Sequence, residues 1–180
     1  MKPVLHGGSP ARRGPGRAPL YTPAERARRD ATRWTIVQGV LAPLQFAVML
    51  ASVALVVRYL TTGAGLWAAN ASVVAKTLVL YAIMGTGAVW EKVVFGRYLF
   101  ARAFFWEDVV SVVVIALHTL YLAGLLGGFL APRALMYTAL VAYAVYAVNA
   151  TQFLLKLRAA RRDEAAARAP AAPPALGAAA

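Results

Sequence analysis

Four long uncharged runs fill the middle of this chain, and they leave few folds open. Trp34 to Val57 is 24 residues without a formal charge. At about 1.5 Å per residue such a run spans roughly 36 Å as a helix, enough to cross a bilayer with some tilt. A second run, about 66–93, is interrupted by Lys76 and closed by Glu91-Lys92. Val109 to Pro132 carries His118 within 24 residues, and Ala134 to Leu155 is 22 residues without a charge. In hydrocarbon every backbone N–H and C=O must be paired, so only helices or closed barrels cross. Barrel strands alternate apolar and polar residues, and these runs do not. The chain is expected to be all-α: an integral membrane four-helix transmembrane bundle, with spans at about 34–59, 67–93, 106–127 and 132–157.

Composition agrees. Hydrophobic residues make up 61% and charged residues 14%, against about 45–50% and about 25% in soluble domains. One small core cannot hide that excess in 180 residues. Cysteine is absent, which removes thiolate nucleophiles, iron–sulfur clusters and Cys-type zinc sites. His6 and His118 are the only histidines, a poor supply for a protein-borne metal.

The net charge of +12 lies at the ends. Of 19 Lys and Arg, 8 lie at or before Arg33 and 5 at or after Lys156. That distribution places both termini in the cytoplasm. No nucleic-acid motif accompanies it, so no nucleic-acid partner is expected. Thr61-Thr62-Gly63-Ala64-Gly65 and Gly127-Gly128 with Pro132 break the first and last helix pairs. The middle connection carries Arg97 and Arg102 and falls on the cytoplasmic side. The domain is expected over residues 21–162, between a basic tail (1–20) and an Ala/Pro tail (163–180), both without order. Thr22-Pro23-Ala24-Glu25 reads as a helix start, with Thr as N-cap and Pro at the first position. The short basic helix to Arg29 would lie on an anionic leaflet.

Ionisable residues at the edges of spans are costly and are functional candidates by default. Glu91 and Lys92 close the second helix, Glu107 and Asp108 open the third, and Arg33-Trp34 opens the first, all at the cytoplasmic mouth. Carboxylates in a partly dry site can divide into one acid and one base. They can equally be wet groups that favour a helix dipole. Glu107, Ser111 and His118 form one helical stripe. His118 could ligate a magnesium tetrapyrrole, relay a proton, or hydrogen-bond between helices. Lys76 could snorkel outward or pair within the bundle. Gln38, Gln45 and Ser52 recur at seven and face inward, with Pro43 between the glutamines; Tyr146, Asn149 and Gln152 cover one sector of the fourth helix. Interhelical hydrogen bonds explain such residues, and so does a pocket with polar edges. Aromatics at 90, 95, 98, 100, 104, 105 and 106 crowd the middle connection, either as an interfacial belt or as a wall for a flat ligand.

The longest motifs resemble a known family. Tyr21-Thr22-Pro23-Ala24-Glu25-Arg26-Ala27-Arg28-Arg29-Asp30 is one, and Trp34-Thr35-Ile36-Val37-Gln38-Gly39-Val40-Leu41-Ala42-Pro43-Leu44-Gln45-Phe46 is another. Trp90-Glu91-Lys92-Val93-Val94-Phe95-Gly96-Arg97-Tyr98-Leu99-Phe100, Phe104-Phe105-Trp106-Glu107-Asp108 and the segment 149–158 complete the set. Together they resemble the 3-vinyl bacteriochlorophyllide hydratase family, called the 2-vinyl hydratase in older ring nomenclature, over about residues 20–162. The resemblance implies a hydro-lyase of bacteriochlorophyll biosynthesis in the bacterial inner, intracytoplasmic membrane. Its substrate would be a magnesium tetrapyrrole, chlorophyllide a or bacteriochlorophyllide. Membrane lipid and other enzymes of the pathway would be its further partners. No cofactor is expected, since the magnesium belongs to the substrate.

Within that chemistry, protonating the vinyl terminus puts a cation on the inner carbon, where the macrocycle delocalises it and water adds. Glu91 or Glu107 is expected to be the acid, with the other or Asp108 orienting water. His118, Gln38, Gln45, Trp90, Trp106, Arg97 and Asn149 are the expected substrate contacts, His118 as a ligand to the substrate magnesium. A non-catalytic pigment-binding or photosystem-assembly protein, and a small transporter using Lys76, are the rival readings.

Overall fold

The computed structural model describes residues 19–168. Most of the two expected tails lies outside that range. Five helices follow one another: α1 (Pro23–Ala31), α2 (Arg33–Thr62), α3 (Leu66–Phe95), α4 (Phe105–Leu126) and α5 (Pro132–Arg168). The last four are long and apolar enough to cross a membrane.

Each boundary has a local cause. Thr22 caps α1 through a capping box: its N–H donates to Glu25 Oε2 at 2.7 Å, and Glu25 N–H donates back to Thr22 Oγ1 at 3.3 Å. Gly63 and Gly65, with φ of +73° and +87°, make the tight turn between α2 and α3. Only glycine takes that left-handed backbone without strain. Pro132 opens α5, where its missing N–H costs nothing.

α2 packs chiefly on α3, and α4 on α5. The chain is therefore two antiparallel hairpins. They join along the α2–α5 and α3–α4 seams, of which α3–α4 is the more open. The core between them contains Met49, Val56, Val73, Leu80, Val114, Tyr121, Met136 and Tyr143. Polar bridges cross it: Ser52 Oγ lies 2.6 Å from Tyr143 Oη and 2.8 Å from Ser72 Oγ, and Tyr121 Oη donates to Asn70 Oδ1 at 2.7 Å. The outer faces remain apolar and exposed, with Ile36, Val40, Leu50, Leu78, Val113, Val141 and Leu154 among them. Such a surface suits lipid.

One end of the bundle gathers α1, the 96–104 connection and the last turns of α5. There Tyr21 stacks on Phe95 (5.8 Å between centroids), and Phe104 packs against Tyr21, Trp90, Phe95 and Phe153. Arg28 Nε donates to Val94 O at 2.8 Å, and Arg29 pairs with Glu164 at 2.7 Å. The basic helix is thus tied to the protein along one side. Burial among these rings pushes the Tyr21 phenol up to about 12, against the pull of Arg29. The capping hydrogen bonds hold the Glu25 carboxyl below its usual range.

One expectation needs correction here, and one open choice is decided. Helix α5 continues through Asp163 to Arg168, where an unordered tail was expected. Ala, Arg and Glu are strong helix formers, and Glu164 is fixed by Arg29 and Arg26. Lys76 does not snorkel outward. It has no exposed surface, and its Nζ sits 4.1 Å above the Tyr146 ring without a hydrogen-bond partner among the described residues.

Candidate active site

The three carboxylates predicted at the mouth are brought together there and are buried. Glu91 comes from the last turn of α3, and Glu107 and Asp108 from the first turn of α4. The 96–104 connection folds back over them. Its consecutive N–H groups are taken by two different carboxylates: Phe100 N donates to Asp108 Oδ2 at 2.7 Å, and Ala101 N to Glu91 Oε2 at 3.2 Å. Phe100 holds the left-handed conformation, φ +58°, the one positive φ outside glycine among the described residues. For an L-residue this costs about 1–2 kcal/mol, so the Asp108 hydrogen bond fixes a strained position.

Glu91 and Asp108 stand on opposite sides of the α3–α4 seam, each held by one of two adjacent N–H groups of the connection. Neither has a cation within salt-bridge distance among the described residues. Glu107 differs. Lys156 of α5 donates to its Oε2 and to Ala103 O, which makes Glu107 an ion-paired carboxylate.

Deeper along the α4–α5 seam, Asn149 Nδ2 donates to Ser111 Oγ at 2.7 Å. The buried oxygens Asn149 Oδ1 and Gln152 Oε1 have no hydrogen-bond partner among the described residues. Gln152 lies between Asn149 and Lys156 on the same helical face. These acceptors therefore stand between the Ser111 and Glu107 crossings.

The remaining predicted residues scatter. Gln38 donates to Thr86 Oγ1 at 2.7 Å and serves the α2–α3 hairpin. Gln45 is buried in the bundle. Trp90 Nε1 donates to Thr35 Oγ1 at 2.9 Å, and its ring belongs to the packed cluster under α1. His118 lies eleven residues beyond Glu107, roughly 16 Å along α4. It has no exposed surface, and its Nδ1 lies 2.8 Å from Val114 O of its own helix. A flat macrocycle could reach it only by parting the helices.

The aromatic wall divides in two. Trp90, Phe95 and Phe104 are core, whereas Tyr98, Phe100, Phe105 and Trp106 are exposed, Trp106 at 68%. Phe105 lies 5.8 Å from Phe100 and 5.4 Å from Trp106, centroid to centroid. They form a continuous aromatic face beside the carboxyl pair. Arg97 is exposed on the same connection.

The sequence reading missed Lys156 and Arg102. Lys156 is the first cation after the uncharged fourth run and lies seven residues from Asn149, hence on the same face. That spacing was the available signal for it. Arg102 carried no signal beyond its charge.

A mouth holding a carboxyl pair, an ion-paired carboxylate and an aromatic face suits acid–base work on a flat, membrane-borne substrate. Comparison with known proteins places the chain in a family. The profile of the family described as 2-vinyl bacteriochlorophyllide hydratase matches residues 21–159. A protein of Cereibacter sphaeroides named 2-vinyl bacteriochlorophyllide hydratase is 63% identical over 150 residues, covering 83% of this chain and 92% of that one. The Rhodobacter capsulatus protein of the same name is 61% identical over 151 residues, covering 84% and 88%. No solved structure matches. The matched segment contains every carboxylate of the mouth together with Arg97, Arg102 and Lys156, and the chain belongs to the 2-vinyl bacteriochlorophyllide hydratase family.

Proposed function

We propose that this chain adds water to the vinyl group of a chlorophyllide-type magnesium tetrapyrrole, giving a 1-hydroxyethyl group, and that the Glu91–Asp108 pair supplies the proton. Two buried carboxyl groups, held by adjacent N–H groups of one connection, carry the reading. The macrocycle lies on the face of Phe100, Phe105 and Trp106, with its vinyl edge toward the pair. Proton transfer to the terminal carbon breaks the C=C π bond, and the ring stabilises the cation left on the inner carbon. Water adds to that carbon, oriented by the Glu107 carboxylate and by the free acceptors of Asn149 and Gln152. Its surplus proton returns to the pair. One water is consumed, no hydride moves, and the chemistry requires no redox cofactor. A well-placed acid typically contributes about 10²–10⁴-fold.

The basic end of the bundle faces the cytoplasm of a bacterial inner membrane in this reading. Arg58 and Arg133 are the cations toward the opposite end, whereas α1, the 96–104 connection and the end of α5 carry many. Chlorophyllide a then reaches the mouth from the cytoplasmic leaflet.

The test uses membranes from a host without the pathway, incubated with chlorophyllide a in deuterated water and with no reductant or nucleotide. The expected product has gained one water, carries one deuteron on the new methyl carbon and absorbs further to the blue. Hydration at the wild-type rate in both Glu91→Gln and Asp108→Asn membranes refutes the proton-donor step. Pigment that co-purifies unchanged refutes the hydratase reading in favour of a carrier.

A further inference from the structure

A cleft of about 440 Å³ opens beside the mouth, between α1 and the 96–104 connection. Its walls include Leu20, Phe95, Arg97, Ala101, Arg102 and Lys156. Ala101 and Ala103 separate it from the carboxyl groups: Ala101 N is bound by Glu91, and Ala103 O by Lys156. The cleft and the reacting pair therefore share one thin wall.

The charge in the cleft is unbalanced. Arg97 and Arg102 are exposed, and neither lies within salt-bridge distance of a carboxylate among the described residues. Lys156 is committed to Glu107. The acidic side chain of the lining, Glu25, is occupied by Thr22 N and Oγ1 in the capping box. Arg102 is felt by the Glu25 carboxyl across the cleft, yet neither guanidinium is hydrogen-bonded to a carboxylate among the described residues, and two such groups beside Leu20 and Phe95 fit a carboxylate on an aliphatic arm.

A chlorophyllide, as opposed to a chlorophyll, has such an arm: a free propionate on the ring next to the one that bears the vinyl. We propose that Arg97 and Arg102 form a subsite for this propionate, and that the enzyme thereby selects the free acid over its ester. The proposal rests on the tetrapyrrole reading above and adds to it a specificity that the vinyl chemistry does not require.

The test compares chlorophyllide a with its propionate methyl ester, using the full chain in phosphatidylcholine nanodiscs. Losing one charge-assisted contact raises KM for the ester about tenfold over the acid. In R97Q, R102Q and the double variant, KM for the acid rises toward that of the ester, and the double variant brings the ratio to about one. The same pigments are titrated by quenching of tryptophan fluorescence, so a chain without hydratase turnover still reports the acid-to-ester ratio through Kd.

A wild-type ratio near one in both KM and Kd overturns the subsite. So does a ratio that the arginine substitutions leave unchanged, or an equal rise for both pigments. If the arginines instead serve lipid headgroups, the substitutions change the stabilisation given by added phosphatidylglycerol and leave the pigment ratio alone. That outcome also overturns the proposal.

Discussion

Replacing Asp108 by Asn separates the folding task that the structure gives this carboxylate from the proton-donor task proposed for it. The substituted amide would keep an acceptor oxygen for Phe100 N–H, so the connection stays folded. The loss is the difference between a charge-assisted and a neutral hydrogen bond, about 1 kcal/mol. For a chain of this size, that lowers the thermal midpoint by roughly 2–4 °C. Activity falls much further, because an amide cannot hold the shared proton: about 10²–10⁴-fold in kcat. Glu91→Gln behaves the same way, since the amide oxygen still faces Ala101 N. The two substitutions together cost no more than the worse single, because one proton is lost either way; groups that act as a unit are not additive. Asp108→Ala is a poorer probe. It strands a buried N–H beside a strained Phe100, at an extra cost of about 1–3 kcal/mol. The assay is single-turnover hydration in membranes with matched protein, alongside thermal melts in detergent. If E91Q and D108N each retain activity within about threefold of wild type while melting as expected, the pair is not the acid. If the double variant shows the product of the single effects, the two carboxyls act separately and the shared-proton argument fails.

Other expectations follow from the same geometry. Lys156→Met leaves Glu107 unpaired at a mostly buried position; adding Glu107→Gln recovers most of the lost stability, and a double-mutant melt series measures the coupling, expected at about 1–3 kcal/mol because both groups keep some solvent contact. A methyl group at position 124 would run into Leu130 Cδ1 and Cγ, so Gly124→Ala costs about 1–3 kcal/mol by overpacking; Leu130→Ala in the same chain should relieve it, again read by thermal melting. Tyr21 ionises near 10 when exposed and near 12 in place. The docking of α1 is therefore constant below pH 10 and weakens from there to about 12 as the undocked form gains charge first. Proteolysis between α1 and α2 should rise over that window, and in Tyr21→Phe it should not.

The membrane bundle was readable because backbone satisfaction in lipid forces long, continuous apolar segments, which nothing else in a sequence imitates. The meeting of Glu91 with Glu107 and Asp108 was readable for a related reason: antiparallel spans put the end of one helix level with the start of the next. What happens at that level was not readable. That Asp108 and Glu91 each take one N–H of the connection depends on a left-handed Phe100, a conformation no residue preference predicts. That Glu107 is ion-paired depends on Lys156, which lies 49 residues away in the chain. The aromatics at 90–106 carry no mark of which pack under α1 and which face outward, because the connection that sorts them is irregular. For Lys76 the sequence left two placements open, outward to the interface or inside the bundle, and the position over Tyr146 decides for the second.

The division into two hairpins bears on when activity begins. Glu91 belongs to the first hairpin and Asp108 to the second, so neither half carries a paired acid of its own. A chain whose halves have entered the membrane but not yet closed on each other has two separate carboxylates and no proton held between them. Under the proposed mechanism, maturation of the enzyme is a matter of docking along α3 and α4, and a reactive pigment meets a working acid only on a fully assembled protein.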